Sequence, residues 1–91
     1  MKEISHFEGV YIFMDTNAHK FDKPHIHVEL GPYNATLEIC RGVESKLLEG
    51  SLPSYRLDMV NVWMRLRKIS LLQNWNRSVR GEVLEKITPL R

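Results

Sequence analysis

Apolar and polar residues alternate most strictly between residues 25 and 39. His25-Ile26-His27-Val28-Glu29-Leu30 and Tyr33-Asn34-Ala35-Thr36-Leu37-Glu38-Ile39 both have period two, the signature of a strand with one buried face. Gly31-Pro32 lies between them, and a two-residue loop that begins with Gly predicts a hairpin. Pairing Leu30 with Tyr33 sets Glu29 opposite Asn34, His27 opposite Thr36 and His25 opposite Glu38. One face is then His25, His27, Glu29, Asn34, Thr36 and Glu38. The other is Ile26, Val28, Leu30, Tyr33, Ala35, Leu37 and Ile39. A slip of one residue would destroy this agreement between the strands, so the register is specified by the pattern. The apolar face goes to the core, and the histidine face points to solvent or to a ligand.

Elsewhere the pattern changes. Val10-Tyr11-Ile12-Phe13-Met14 is a continuous apolar run and reads as a strand covered on both faces. Asp15-Thr16-Asn17-Ala18 is turn chemistry, and a polar loop follows to Pro24, which lacks a donor and suits a strand start. Arg41-Gly42-Val43-Glu44 reads as a turn, and 45–50 as a weaker edge strand. Ser51-Leu52-Pro53 opens a helix, because Pro is tolerated in a first turn. Helical spacing continues over 53–80, with Gly81 as a stop. Leu57, Met59, Val60, Trp63 and Met64 share one face, with Arg67 near its middle. Leu71, Leu72, Trp75 and Val79 share another, rotated by roughly 100°. A break near 67–70 lets both segments cover one sheet. The tail, 83–90, adds a short strand or docks on the core. The expected fold is α+β: an antiparallel meander of three to four strands, then one kinked or two consecutive helices on its apolar face.

Ninety-one residues make one domain with a thin core, since a chain of this size buries only about 60–65% of its unfolded surface. A cognate small protein or a second copy could supply the rest. The lone Cys40 cannot form an intrachain disulfide, which fits a reducing compartment. Cys40 has no flanking nucleophile motif and reads as a small apolar residue. The N-terminus lacks the apolar segment of a signal peptide, and no run is long enough to span a bilayer. A cytoplasmic protein without a membrane is expected. The net charge of +2 hides an asymmetry: residues 1–45 hold four basic and seven acidic residues, residues 46–91 nine basic and four acidic. The basic half suits phosphates or a solvated helix face.

Candidate chemistry centres on Pro24-His25-Ile26-His27-Val28. Two imidazoles on one strand face can divide acid and base roles, as RNA cleavage requires. His25 and His27 are therefore the candidate catalytic residues, with Glu38 orienting His25. His19, Glu29, Thr36 and Arg67 are candidate binding residues. The same histidines can reach one ion, with Glu38 or His19 as a third ligand. That exposed set is incomplete, so no resident metal or cofactor is expected. There is no phosphate-binding glycine loop. Trp63 and Trp75 sit at helical positions among Leu and Met and read as core. A protein-interaction surface without catalysis is the alternative use of the histidine face.

Pro24-His25-Ile26-His27-Val28 resembles the Pro-His-aromatic-His-Val signature of a small bacterial family of unknown function, DUF4160. Residues 4–10 resemble the family's start, and Glu49-Gly50-Ser51-Leu52-Pro53 its Glu-Gly-x-Leu-Pro helix opening. Trp63, Leu71-Leu72, Trp75 and Gly81 are similar to its Trp, Leu-Leu-x-x-Trp and Gly pattern. Leu84, Ile87, Pro89 and Leu90 resemble its closing segment. The family has Asp-His four residues before its first signature histidine; Phe21 stands there in this chain, and His19 matches only with two residues inserted. Members are often encoded beside another small protein, and some are described as toxin–antitoxin components. The resemblance thus points to a partner-dependent module of that type, and the histidine face with the basic half adds the expectation of action on RNA.

Overall fold

The computed structural model describes residues 1–39 and 46–90. Cys40 and the turn expected at 41–44 lie outside the described residues. Five strands form one antiparallel sheet in the order β1 (Lys2–Phe7), β2 (Val10–Met14), β3 (His25–Leu30), β4 (Tyr33–Glu38) and β5 (Lys46–Gly50). Two helices follow, α1 (Ser54–Leu66) and α2 (Lys68–Val79). The α+β class is as expected, but the sheet has five strands rather than three to four.

The additional strand is β1. A bulge between Glu3 and Ser5 breaks its alternation, so that Ile4 and Ser5 are both buried. Its turn to β2 is Glu8-Gly9, with φ of +48° and +78°. Positive φ at both central residues is the twist-compatible hairpin geometry, here with Glu where Asn or Asp is usual. Neither signal stands out in the sequence.

The β3–β4 register is the one the alternation requires, with Leu30 opposite Tyr33, His27 opposite Thr36 and His25 opposite Glu38. Ile26, Val28, Ala35 and Leu37 are buried on the helix-covered face. Burying each large aliphatic side chain stabilises the fold by about 1.5–3 kcal/mol. β2 joins by setting Ile12 opposite Val28 and Phe13 opposite His27. Val10, Ile12 and Met14 are buried, while Tyr11 is exposed and Phe13 half-buried. β2 is therefore fully covered on one face only, correcting the reading of that run. β5 pairs with β4 and is exposed along its length. A Cβ on Gly50 would lie 2.1 Å from the Asn34 carbonyl oxygen, so only glycine permits that approach.

The helical region breaks at Arg67, whose φ of −109° and ψ of 18° close α1 and open α2. The break brings both stripes onto one core: Val60, Trp63 and Met64 from α1, Leu71 and Trp75 from α2. α1 starts after Pro53, whose carbonyl accepts from the Arg56 and Leu57 amides. The tail docks without forming a strand. Leu84 and Ile87 are buried, the Ile87 amide donates to the Ile4 carbonyl, and Lys2 Nζ donates to the Leu84 carbonyl. Buried Asn74 holds the tail by donating to the Glu85 carbonyl and accepting from the Glu85 amide. No helix among the described residues is long and apolar enough to cross a membrane.

Candidate functional site

Asp15, His25 and His27 meet where β2 ends and β3 begins. Phe13 lies opposite His27, so two residues further along β2 fall opposite His25, and that position is Asp15. Pleating puts Phe13, Asp15, His25 and His27 on the same face. His25 Nε2 is 3.1 Å from Asp15 Oδ2, and His27 Nε2 is 3.3 Å from Asp15 Oδ1. The two imidazoles stand edge to face, with ring centroids 5.2 Å apart. Their side chains are 17% and 28% exposed, and that of Asp15 40%, so the cluster is partly sheltered but reachable.

Each imidazole is fixed from behind. His25 Nδ1 donates to the Lys23 carbonyl at 2.7 Å. A carbonyl oxygen only accepts, so the proton on that side belongs to Nδ1. His27 Nδ1 lies 3.2 Å from Thr36 Oγ1, across the β3–β4 ladder. The Trp75 ring is 5.0 Å from that of His25 and walls the site with α2. Ser78 anchors the same corner: its Oγ donates to the Asp15 carbonyl and accepts from the Ala18 amide.

This arrangement has one unresolved polar requirement. With Nδ1 protonated, a neutral His25 presents a bare lone pair at Nε2 to an acceptor-only carboxylate oxygen. Two acceptors at 3.1 Å require a positive charge between or upon them. His27 Nε2 is buried as an atom and makes no hydrogen bond, although Asp15 Oδ1 is 3.3 Å away. That contact is close enough to be an ion pair but is not aligned along an N–H direction.

The other residues singled out in the sequence fall in different places. Glu38 is His25's register partner on β4, but no hydrogen bond or ion pair joins them among the described residues. The carboxylate that reaches both imidazoles is Asp15. Thr36 does meet His27. His19 is exposed in the β2–β3 connection, where its Nδ1 accepts from the Phe21 amide. Glu29 is exposed toward the other end of β3, opposite Asn34 and Tyr11. Arg67 is occupied elsewhere: Nε donates to the Thr88 carbonyl and Nη2 to that of Pro89. From its position on the apolar helix stripe it anchors the tail. Phe21, by contrast, is 79% exposed, with Lys20 Nζ 5.0 Å from its ring centroid.

Asp15 could have been found from sequence by extending the alternation of Tyr11 and Phe13 by one step. Its turn-like neighbours Thr16-Asn17 conceal that step.

A family model described as "Domain of unknown function (DUF4160)" matches residues 9–76, a span that includes Asp15, His25, His27, Thr36 and Trp75. Neither a curated protein nor a solved structure matches the chain. With well over half of its length matched, the chain belongs to the DUF4160 family.

Proposed function

We propose that the chain is a small RNA-directed module of the toxin–antitoxin type, working through Asp15, His25 and His27 and bound to a cognate protein. The carrying observation is the convergence of His25 Nε2 and His27 Nε2 on one carboxylate, which calls for a positive charge in a partly exposed cluster. Such a charge receives a phosphodiester oxygen. The loop leading into the site supports the same ligand. Exposed Phe21 offers a ring face on which a base can stack, and Lys20 over it supplies a cation for the phosphate. In this reading His25 and His27 are the active residues, and Asp15 takes the orienting role expected of Glu38. The basic half of the chain, 46–91, raises the local concentration of polyanions.

One observation favours a second reading, a protein-binding module without catalysis. β5 is exposed along its whole length and carries Leu47 and Leu48, each about 40% exposed, at the sheet's edge. An added strand would satisfy its outer backbone groups. The two readings part on RNA. Short single-stranded RNA should bind the wild-type protein, and binding should fall at least about tenfold in Phe21→Ala, one base-stacking contact being worth about 1–3 kcal/mol. RNA cleavage on induction, lost in His27→Ala, would support the catalytic form. Equal RNA binding by wild type and Phe21→Ala, with no cleavage, would leave the protein-binding module.

A further inference from the structure

We infer that the positive charge between Asp15, His25 and His27 is a divalent first-row transition-metal ion, held by His25 Nε2, His27 Nε2 and an Asp15 carboxylate oxygen. This deepens the functional reading above and rests on the same convergence of His25 and His27 on Asp15, since it names what that site holds.

The first observation is distance. One ligand atom from each of the three residues lies within 4.8 Å of the others. At metal–nitrogen and metal–oxygen bonds of about 2.0–2.1 Å, neighbouring ligands of a tetrahedral ion stand about 3.3 Å apart. His25 Nε2 stands 3.1 Å from Oδ2 and His27 Nε2 3.3 Å from Oδ1, so each imidazole is at ligand spacing from one of the two oxygens of the same carboxylate.

The second is the tautomer. His25 Nδ1 donates its proton to the Lys23 carbonyl, which leaves Nε2 as the lone pair turned inward. Thr36 Oγ1 stands at the equivalent outer nitrogen of His27. Ligating histidines usually use the outer nitrogen in this way, which fixes the ring and raises the basicity of the ligand atom. The third is the buried His27 Nε2 with no hydrogen bond, the kind of orphan that an ion satisfies. A proton shared between His25 and Asp15 would answer the first contact and leave this atom unanswered.

The sequence alone argued against a resident metal because the third ligand had to be Glu38 or His19. Asp15 removes that objection. Two imidazoles and a carboxylate suit Zn²⁺, Fe²⁺ or Co²⁺ better than Mg²⁺ or Ca²⁺, which favour all-oxygen shells. Three protein ligands leave at least one coordination position open. On the exposed side of Asp15, that position can take water or a ligand oxygen.

The test is titration of chelator-stripped protein with Zn²⁺, and with Co²⁺ as a spectroscopic probe, at neutral pH. The wild type should bind about one equivalent of Zn²⁺, and bound Co²⁺ should show visible bands with imidazole ligation. Asp15→Ala and His27→Ala should each lose at least about 100-fold in affinity, beyond the roughly 10–100-fold typical of outer partners. Thr36→Val, which leaves all three ligands in place, should lose about tenfold. His6→Ala, which removes an imidazole stacked on Tyr11, should bind as the wild type does. Circular dichroism of each variant separates lost binding from lost folding. Stoichiometry well below one in the folded wild type overturns the metal site, as does equal binding by folded Asp15→Ala. RNA binding by the stripped protein separates the two readings: RNA bound without metal uptake removes the metal alone, and metal bound without RNA removes the RNA reading alone.

Discussion

The two faces of the β3–β4 hairpin are held by different physics. On one face Ile26, Val28, Ala35 and Leu37 are buried under α1 and α2, and what matters is volume. On the other, His25, His27 and Thr36 stay partly exposed, and what matters is the direction of individual lone pairs and protons. A methylene misplaced on the first face costs stability. An atom misplaced on the second leaves the fold intact and disarms the site. Adjacent residues of one strand therefore answer to separate constraints, and substitutions should divide along that line.

The largest effect belongs to the covered face. Trp63 is fully buried and its Nε1 donates to the Thr88 carbonyl at 2.9 Å. Trp63→Ala should destabilise by about 3–5 kcal/mol, measured by urea unfolding, and release the tail with it. Next comes Ile26→Ala, at about 2–4 kcal/mol in the same measurement. Its neighbour provides the contrast. His27→Ala should change unfolding stability by about 1 kcal/mol or less, because the ring is partly exposed and gives up a single hydrogen bond, that of Nδ1 with Thr36, while its Nε2 makes none. A loss for His27→Ala as large as that for Ile26→Ala would break the division between faces.

A smaller effect sharpens it. Ser78 is fully buried on α2 and bridges the Asp15 carbonyl and the Ala18 amide. Ser78→Ala should cost about 1–3 kcal/mol, since it leaves two partly buried backbone groups without their partner. It is also the substitution most able to disturb both faces together, because the bridge positions Asp15. Nuclear magnetic resonance shifts of the His25 and His27 rings should move in this variant and stay in place in Ile26→Val.

The smallest effect lies on the surface. Arg80 donates twice to Glu82, and this hydrogen bonding holds the Glu82 carboxyl below its usual range and the Arg80 guanidinium above its own. A depressed carboxyl contributes stability above the ordinary carboxylate range and loses it as pH falls through the folded value. Glu82→Gln should lower the melting temperature by about 1 °C or less at neutral pH, by nothing at acid pH, and by less in high salt. Melting curves at the two pH values would check the sign.

What the sequence disclosed follows the same division. The hairpin register and its buried face were legible because Ile26, Val28, Ala35 and Leu37 repeat with period two. The break at Arg67 was legible because two apolar stripes on one straight helix cannot face one sheet. β1 was not, because its bulge places Ile4 and Ser5 both inward and its turn uses Glu8 at positive φ. His25 and His27 stood out as a pair, whereas Asp15 did not, because its partnership depends on how β2 registers with β3 across a ten-residue connection. Alternation along β2 puts Asp15 on the Phe13 face but does not say which residues of β3 it meets. Arg67 is another long-range case: its hydrogen bonds to the tail carbonyls of Thr88 and Pro89 join distant segments, and no local pattern shows them.

The tail has a consequence for biosynthesis. β1 leaves the ribosome before the other strands and both helices, yet residues 84–87 lie against it, through the Ile87 amide on the Ile4 carbonyl and Lys2 on the Leu84 carbonyl. Until residues 84–87 are translated, the β1 flank of the nascent sheet lacks these contacts. Unsealed flanks recruit foreign strands. Ribosome-stalled chains ending before residue 84 should therefore be markedly more chaperone-bound than the full chain, and completion of the tail should release them.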